Sequence, residues 1–228
     1  MMSEKVMLIT GASSGIGAAT ARKLVEHGHK VALLARSEDK LQALVAELGD
    51  DNALACPADA TSFAAQQDAV EQTLSRYGRI DAVFANAGTG VSTPGTEGGD
   101  VEEWDRLIDI NVKALLYTAK ATLPSLRKTQ GHLFITSSAA GRKPIKGSIY
   151  GASKWFAYGF GLNLAEEMAE WHGRCTTICP GVVNTPFFDE PKETKLQPDD
   201  VADAVLHALN ASPRNNVREI YLMPTYTG

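Results

Sequence analysis

A doubly wound parallel α/β sheet is the fold class that this sequence predicts, with seven strands in a single domain spanning residues 1–228. Three observations carry that prediction. Short apolar runs alternate with longer helical patterns along the whole chain, which places helices on both faces of a parallel sheet. The first apolar run leads at once into a glycine-rich turn, Thr10-Gly11-Ala12-Ser13-Ser14-Gly15-Ile16-Gly17, and that turn opens a helical pattern. No linker, internal repeat or low-complexity stretch divides the chain, and 228 residues can form one core without disulfide or metal staples.

The elements follow in order. Val6–Ile9 reads as a buried strand, and Ile16 to His27 as a helix closed by Gly28. Val31–Ala35 is the second strand, and Ser37 is placed to cap a helix from Glu38 to Leu48. Ala53–Cys56 is the third strand, followed by a helix from Ser62 to Tyr77 that stops at Gly78. Ala82–Ala85 is the fourth strand. One long helix is expected from Val101 to Lys128, with Pro124 near its end. Leu133–Thr136, a helix from Ser148 to Trp171, Cys175–Cys179, a helix over Asp199–Leu209 opened by Pro198, and Glu219–Met223 complete the pattern. Right-handed crossovers then wind the sheet in both directions from its first strand. The least patterned segment, 186–197, follows the sixth strand on the ligand-binding edge of such sheets and is expected to act as a substrate lid.

Composition narrows the partners. The formal charge is −5 and no basic cluster stands out, which argues against nucleic acid. Cys56, Cys175 and Cys179 form no paired framework and read as buried thiols of a reducing compartment. The five histidines are scattered without ligand spacing, so no metal is expected. The opening residues lack a leader pattern, and no run of about 18 apolar residues is present. The expected setting is therefore cytoplasmic, away from membranes.

Two groups of residues point to chemistry. In the glycine turn, Gly11, Gly15 and Gly17 allow a pyrophosphate to approach the backbone at a helix N-terminus, where free N–H groups favour anions. The second group is Tyr150-Gly-Ala-Ser-Lys154, twelve residues after Ser138. A phenol with a pKa near 10 is a poor base at neutral pH. Residues i and i+4 share a helix face, so the Lys154 ammonium can lie near the Tyr150 ring. A charge about 5 Å away favours the phenolate by about 3 kcal/mol at an effective dielectric near 20. Tyr150 can then exchange a proton with an alcohol or carbonyl oxygen. Ser138 supplies a hydroxyl to orient that oxygen, with Ser137 as the competing candidate.

The chain as a whole resembles the short-chain dehydrogenase/reductase family, on a Rossmann-type fold. Thr10–Gly17 is similar to its cofactor motif, and Asn86-Ala87-Gly88 to its Asn-Ala-Gly motif beside the cofactor. Asn111 matches the helix asparagine that holds a proton-relaying water, and Ser138, Tyr150 and Lys154 match its catalytic residues. Pro180-Gly181-Val182-Val183-Asn184-Thr185 resembles the segment that clasps the nicotinamide, with Pro180, Gly181, Val183 and Thr185 as contacts. The resemblance implies cofactor contacts from Ser13, Ser14 and Ile16 as well, and from Tyr150 and Lys154. Asp59, with Ala60 beside it, resembles the adenine-contacting segment. An acidic residue at the end of the second strand would select NAD, but Ala35 stands there, followed by Arg36 and Ser37, a guanidinium and a hydroxyl suited to a 2′-phosphate. The expected cofactor is NADP(H), with NAD as the alternative.

The function so implied is an NADP(H)-dependent oxidoreductase acting on a small carbonyl or secondary alcohol. A 3-hydroxy acid or serine dehydrogenase-like activity is an alternative, for which Arg142, Lys143 and Lys146 are candidate carboxylate ligands. The remaining alternatives are an epimerase or dehydratase that keeps the cofactor, and a non-catalytic nucleotide sensor or scaffold. The helices over 101–128 and 148–171 are apolar on more than one face, and the resemblance implies that they join subunits in a homotetramer or homodimer.

Overall fold

The computed structural model describes residues 4–225. Seven strands form one parallel sheet: β1 (Val6–Thr10), β2 (Lys30–Ala35), β3 (Ala53–Pro57), β4 (Ala82–Ala85), β5 (His132–Thr136), β6 (Arg174–Pro180) and β7 (Glu219–Leu222). Their order is β3-β2-β1-β4-β5-β6-β7. The chain winds outward from β1 in one direction and then, from β4, in the other. The switch point therefore lies between β1 and β4, where a crevice opens beyond the carboxyl ends of the strands.

Every residue of β1 is buried, as expected of a strand covered on both faces. The pleat sends alternate side chains to opposite layers. Met7, Ile9, Leu33 and Phe134 join the core beneath α1 (Gly15–Glu26) and α7 (Pro198–Leu209). Leu8, Leu34, Leu133 and Ile135 join the core beneath α5 (Ala114–Thr129) and α6 (Ile149–Ala169). The remaining helices are α2 (Glu38–Leu48), α3 (Phe63–Tyr77) and α4 (Val101–Ile108).

Two expectations need correction. The long helix expected over 101–128 is interrupted by a π-helical turn, Asp109–Lys113, between α4 and α5. Asn111 lies in that turn, and its side chain is bonded to the backbone of Thr89 rather than pointing along the helix surface, so the wider turn accompanies a tertiary contact. Ser37 occupies the N-cap position of α2, but its side chain makes no capping bond. Ser62 and Ser148 do cap α3 and α6 with their hydroxyls. Pro124 lies inside α5 without ending it. All three cysteines are buried and free, and no helix among the described residues is long and apolar enough to cross a membrane.

His132 opens β5 from a fully enclosed position. Its Nε2 lies 2.6 Å from the Thr176 hydroxyl, whose one proton goes to the Val217 carbonyl. Nε2 must therefore carry the ring proton, and Nδ1 is left with no partner. A second proton would place an N–H where nothing accepts it. Burial, aided by Arg174 and then Lys5, accordingly holds the imidazole well below its usual pKa of 6.5. The native state thus binds fewer protons than the unfolded chain once pH falls below about 6.5, and stability is lost with acidification. In the His132→Leu variant, the slope of unfolding free energy against pH between about 5 and 6 should be shallower than in the parent by close to 1.4 kcal/mol per pH unit. Urea titrations at several pH values would check this, and parallel slopes would contradict it.

Candidate active site

The site is assembled at the carboxyl ends of six strands. β1 runs into the glycine turn, where Gly11 and Gly15 adopt φ of 67° and 52°. A Cβ at Gly17 would lie 2.4 Å from the Gly11 carbonyl oxygen, and one at Gly11 would lie 2.9 Å from the Ala87 Cα. The turn is thus closed to side chains, and α1 begins at Gly15 with no acidic residue in its first turn and no side-chain bond from its N-cap, Ser14. That combination leaves backbone donors for an anionic group and fits a dinucleotide pyrophosphate. Ser13 and Ile16 flank the turn.

Thr10 and Asn86 tie β1 to β4. The Thr10 hydroxyl accepts from the backbone N–H groups of Asn86 and Ala87 at 3.0 and 3.1 Å. Asn86 Nδ2 donates to the Thr10 carbonyl at 3.2 Å, and its Oδ1 accepts from the Thr136 hydroxyl on β5. Across the switch point, Arg36 and Ser37 are exposed at the end of β2. Asp59 follows β3, and its carboxylate accepts from the N–H and hydroxyl of Thr61 at 2.9 and 2.8 Å. Those bonds, the backbone one first, hold its pKa below the usual carboxylate range, with help from Arg36. Ala60 lies beside it.

Ser138 caps a 3-10 turn after β5, accepting from the Ala140 N–H at 3.1 Å, and it remains partly accessible. Ser137 is buried and donates to the backbone carbonyl of Lys154 at 2.8 Å. Geometry therefore separates the two serines: Ser137 seats α6, and Ser138 faces the phenol. Gly141 completes the seat, because a Cβ there would meet the same Lys154 carbonyl at 2.5 Å.

Tyr150 and Lys154 lie one turn apart on α6. Lys154 is 5% exposed, its Nζ is 5.7 Å from the Tyr150 ring centroid, and it donates to the Thr136 carbonyl at 3.0 Å. Gly88 closes over it; a Cβ there would lie 3.3 Å from Nζ. Burial lowers the ammonium pKa to about 8. Tyr150 moves the opposite way from expectation. Burial raises its pKa and outweighs the Ser138 hydroxyl, which pulls it down. The lysine stands off the ring rather than bonding the phenol oxygen, and burial prevails.

Asn111 holds the β4 loop to α6. Its Oδ1 accepts from the Thr89 N–H at 2.8 Å, while Nδ2 donates to the Thr89 carbonyl at 2.9 Å and to the Ser153 hydroxyl at 3.0 Å. Ser153 in turn donates to the Tyr150 carbonyl at 2.7 Å. Behind this chain lies a cavity of about 10 Å³ between Asn111, Thr118, Thr136 and Lys154, the room of about one water with polar partners.

The segment after β6 closes the other side. The Pro180 carbonyl accepts from Ser138, and the Gly181 N–H donates to the Leu222 carbonyl on β7 at 2.7 Å. Val183 is buried and pairs with Leu196, while the Thr185 methyl stands against Gly15, where a Cβ would meet it at 3.1 Å. Segment 186–197 is stapled at its base, since Asn184 accepts from the Lys192 N–H and donates to Gln197. Ser138, Tyr150, Lys154, Asn111 and Gly88 are thus brought together, with Thr185 against Gly15, while Arg36, Ser37 and Asp59 stand at the ends of β2 and β3. Ser153 and Phe187 were not singled out from the sequence. Ser153 is visible only as the serine inside Ala-Ser-Lys, and Phe187 only as half of an aromatic pair. The Phe187 ring lies 5.6 Å from that of Tyr150. Arg142 is not free to bind an anion, because it is ion-paired with Glu219 and stacked on Tyr158.

The family model described as short chain dehydrogenase matches residues 5–196. The chain is 37% identical over 229 residues to an uncharacterised oxidoreductase of Staphylococcus aureus, covering 98% of this chain and 99% of that one. Among solved structures, it is similar to an alcohol dehydrogenase from Thermococcus sibiricus complexed with 5-hydroxy-NADP, at 32% identity and a TM-score of 0.91, with 99% of each chain covered. It is likewise similar to serine dehydrogenase from Escherichia coli, at 32% identity and a TM-score of 0.89, covering 98% of this chain and 99% of that one.

The buried ammonium yields a stability prediction. The native state bears the cost of the charge below about pH 8, and the cost is relieved as pH rises from 8 towards 10.5, where only the unfolded chain keeps the proton. The stability of Lys154→Met relative to the parent should therefore fall by about 2 kcal/mol between pH 7 and about 9.5. The lost bond to Thr136 adds an offset independent of pH and does not disturb the comparison. Urea unfolding at both pH values measures the change, and a constant difference would refute it.

Proposed function

The chain belongs to the short-chain dehydrogenase family, and from that premise we propose that it is an NADP(H)-dependent oxidoreductase interconverting a small carbonyl compound and its secondary alcohol. The single observation carrying this reading is the convergence of Ser138, Tyr150 and the buried Lys154 beside a glycine turn closed to side chains. When bound, the nicotinamide supplies or accepts the hydride. The residues of this chain handle the oxygen and its proton. Ser138 orients the carbonyl oxygen and offers a hydrogen bond to the charge that develops there. Tyr150 donates its hydroxyl proton to that oxygen in reduction and takes one back in oxidation. Lys154, still largely protonated below its pKa of about 8, holds a positive charge near the ring. The water-sized cavity lined by Asn111 and Lys154 would admit a water with which the lysine exchanges protons. Asn111 itself acts as a positioning residue, holding Thr89 against α6.

Arg36 is the residue assigned to the 2′-phosphate, because it is exposed at the end of β2 and no carboxylate stands at Ala35 to repel that group. Segment 186–197 serves as the substrate lid. A second copy of the chain is assigned to the apolar groove of α5 and α6, where Leu116, Leu123, Phe160 and Leu164 line a depression of about 790 Å³, giving a homodimer or homotetramer. The similarity to serine dehydrogenase suggests a hydroxy acid as a second substrate reading, but Arg142 is already committed to Glu219.

Two measurements test the proposal. Tyr150→Phe should lower turnover of carbonyl compounds, followed as NADPH absorbance, by about 10²–10⁴-fold while NADPH binding by fluorescence titration is retained. Unimpaired turnover would remove Tyr150 from the chemistry. Arg36→Asp should lower kcat/KM for NADPH by about 10- to 100-fold and raise it for NADH. A parent that prefers NADH, or a variant with unaltered preference, would assign the cofactor the other way.

A further inference from the structure

Phe187 is the first side chain of the 186–197 segment to reach the crevice. Its ring packs on Tyr150 at 5.6 Å and edge-on to Phe188 at 5.1 Å, so three rings form a ladder leading away from the phenol. The far end of the ring rests on Gly90 in the loop after β4. A Cβ at Gly90 would lie 2.8 Å from Phe187 Cζ, and its three nearest neighbours all belong to the Phe187 ring. Gly90 does not have a positive φ, so the constraint there is space and not backbone conformation. Phe187 is nonetheless 46% exposed, leaving much of an aromatic ring open at the mouth of the site. The segment is held in place on its other side by Thr185, whose methyl stands against Gly15 and whose hydroxyl accepts from the Phe187 N–H.

The basic groups near this wall are paired with carboxylates or exposed to water. Arg142 is ion-paired with Glu219 and lies over the rings of Tyr158 and Tyr221. The residues after the aromatic pair are Asp189 and Glu190, both exposed, and Lys192 lies between Glu190 at 3.7 Å and the Phe188 ring at 6.0 Å. Lys143 and Lys146 are exposed, strongly hydrated cations on the loop beyond the catalytic serine.

We infer that Phe187, seated on Gly90 and against Tyr150, is the specificity-determining wall of this site, and that it selects uncharged carbonyl compounds bearing a flat apolar or aryl substituent beside the reacting carbon. The inference rests on the oxidoreductase reading above and adds a substrate class to it. An aryl group stacks on the open part of the ring while the carbonyl oxygen meets Tyr150 and Ser138, whereas a short alkyl group leaves that face wet.

The test is a double-mutant cycle on Gly90→Ala and Phe187→Ala, read with acetophenone, 2-butanone and acetoacetate as substrates. The parent should show its highest kcat/KM with acetophenone. Phe187→Ala should lower the ratio of the acetophenone value to the 2-butanone value about tenfold, and Phe187→Tyr should keep that ratio. Gly90→Ala should lower kcat/KM for acetophenone and the melting temperature of the cofactor-free protein when Phe187 is present, and should do neither in the Phe187→Ala background. An active parent whose substrate ratios survive Phe187→Ala, or one that prefers acetoacetate, overturns the inference alone. So does a Gly90→Ala effect that persists without Phe187. A parent inactive on all three carbonyls with either nicotinamide overturns the oxidoreductase reading beneath it.

Discussion

A charged amine has been taken almost wholly out of water, and much of the structure around the crevice exists to accommodate it. Lys154 has one protein acceptor for its ammonium, the Thr136 carbonyl at the end of β5. An ammonium carries three donors, and leaving a buried charge short of partners is expensive. Burial has accordingly lowered its pKa to about 8, so the group still carries its charge at neutral pH but with little margin. A small cavity opens beside it, with room for about one water that would supply a second acceptor. Replacing the lysine by an apolar side chain would relieve the strain on stability, so its retention is a cost accepted for charge placement.

Charge placement is useful only if the phenol stays put, and three separate contacts hold α6 in register. Ser137 and Gly141 seat the Lys154 carbonyl on the 3-10 turn that carries Ser138. Asn111 and Ser153 fasten the next stretch of the helix to Thr89, in the loop beside Gly88. The π-helical turn belongs to this arrangement. It turns Asn111 toward the loop, where all three of its side-chain bonds are made within 3.0 Å. Motion of α6 by an ångström would break bonds to the β4 loop and the β5 turn together, so the reacting groups move as one body with the sheet ends.

The sheet and most of its helices were legible because their causes are local. Continuous apolar runs mark β1 and β2, glycines at 28 and 78 stop α1 and α3, and serines at 62 and 148 start α3 and α6. The clustering of Ser138, Tyr150 and Lys154 was legible from spacing and resemblance. What escaped depends on distant partners. Nothing in the run from Val101 to Lys128 announces a π turn, since it accompanies contacts with Thr89 and Ser153. The choice between Ser137 and Ser138 turned on which hydroxyl the Lys154 carbonyl captures. Arg142, a reasonable anion ligand by its position after the active serine, is taken by Glu219 some 77 residues later in the sequence. The upward pull on the Tyr150 pKa without cofactor comes from burial of the ring, which the spacing of Tyr150 and Lys154 does not reveal.

That last point bears on how the site is completed. With the crevice as it stands, burial favours the protonated phenol, which is the form needed to donate a proton to a carbonyl oxygen. Oxidation of an alcohol needs the opposite form, so a further positive charge must enter the crevice before Tyr150 becomes a good base. The oxidised nicotinamide carries such a charge and the reduced one does not. On the proposed function, the protonation state of Tyr150 would follow the redox state of a nicotinamide held beside it. The same buried ring suits both directions because its own environment leans toward the acid and the partner's charge supplies the correction.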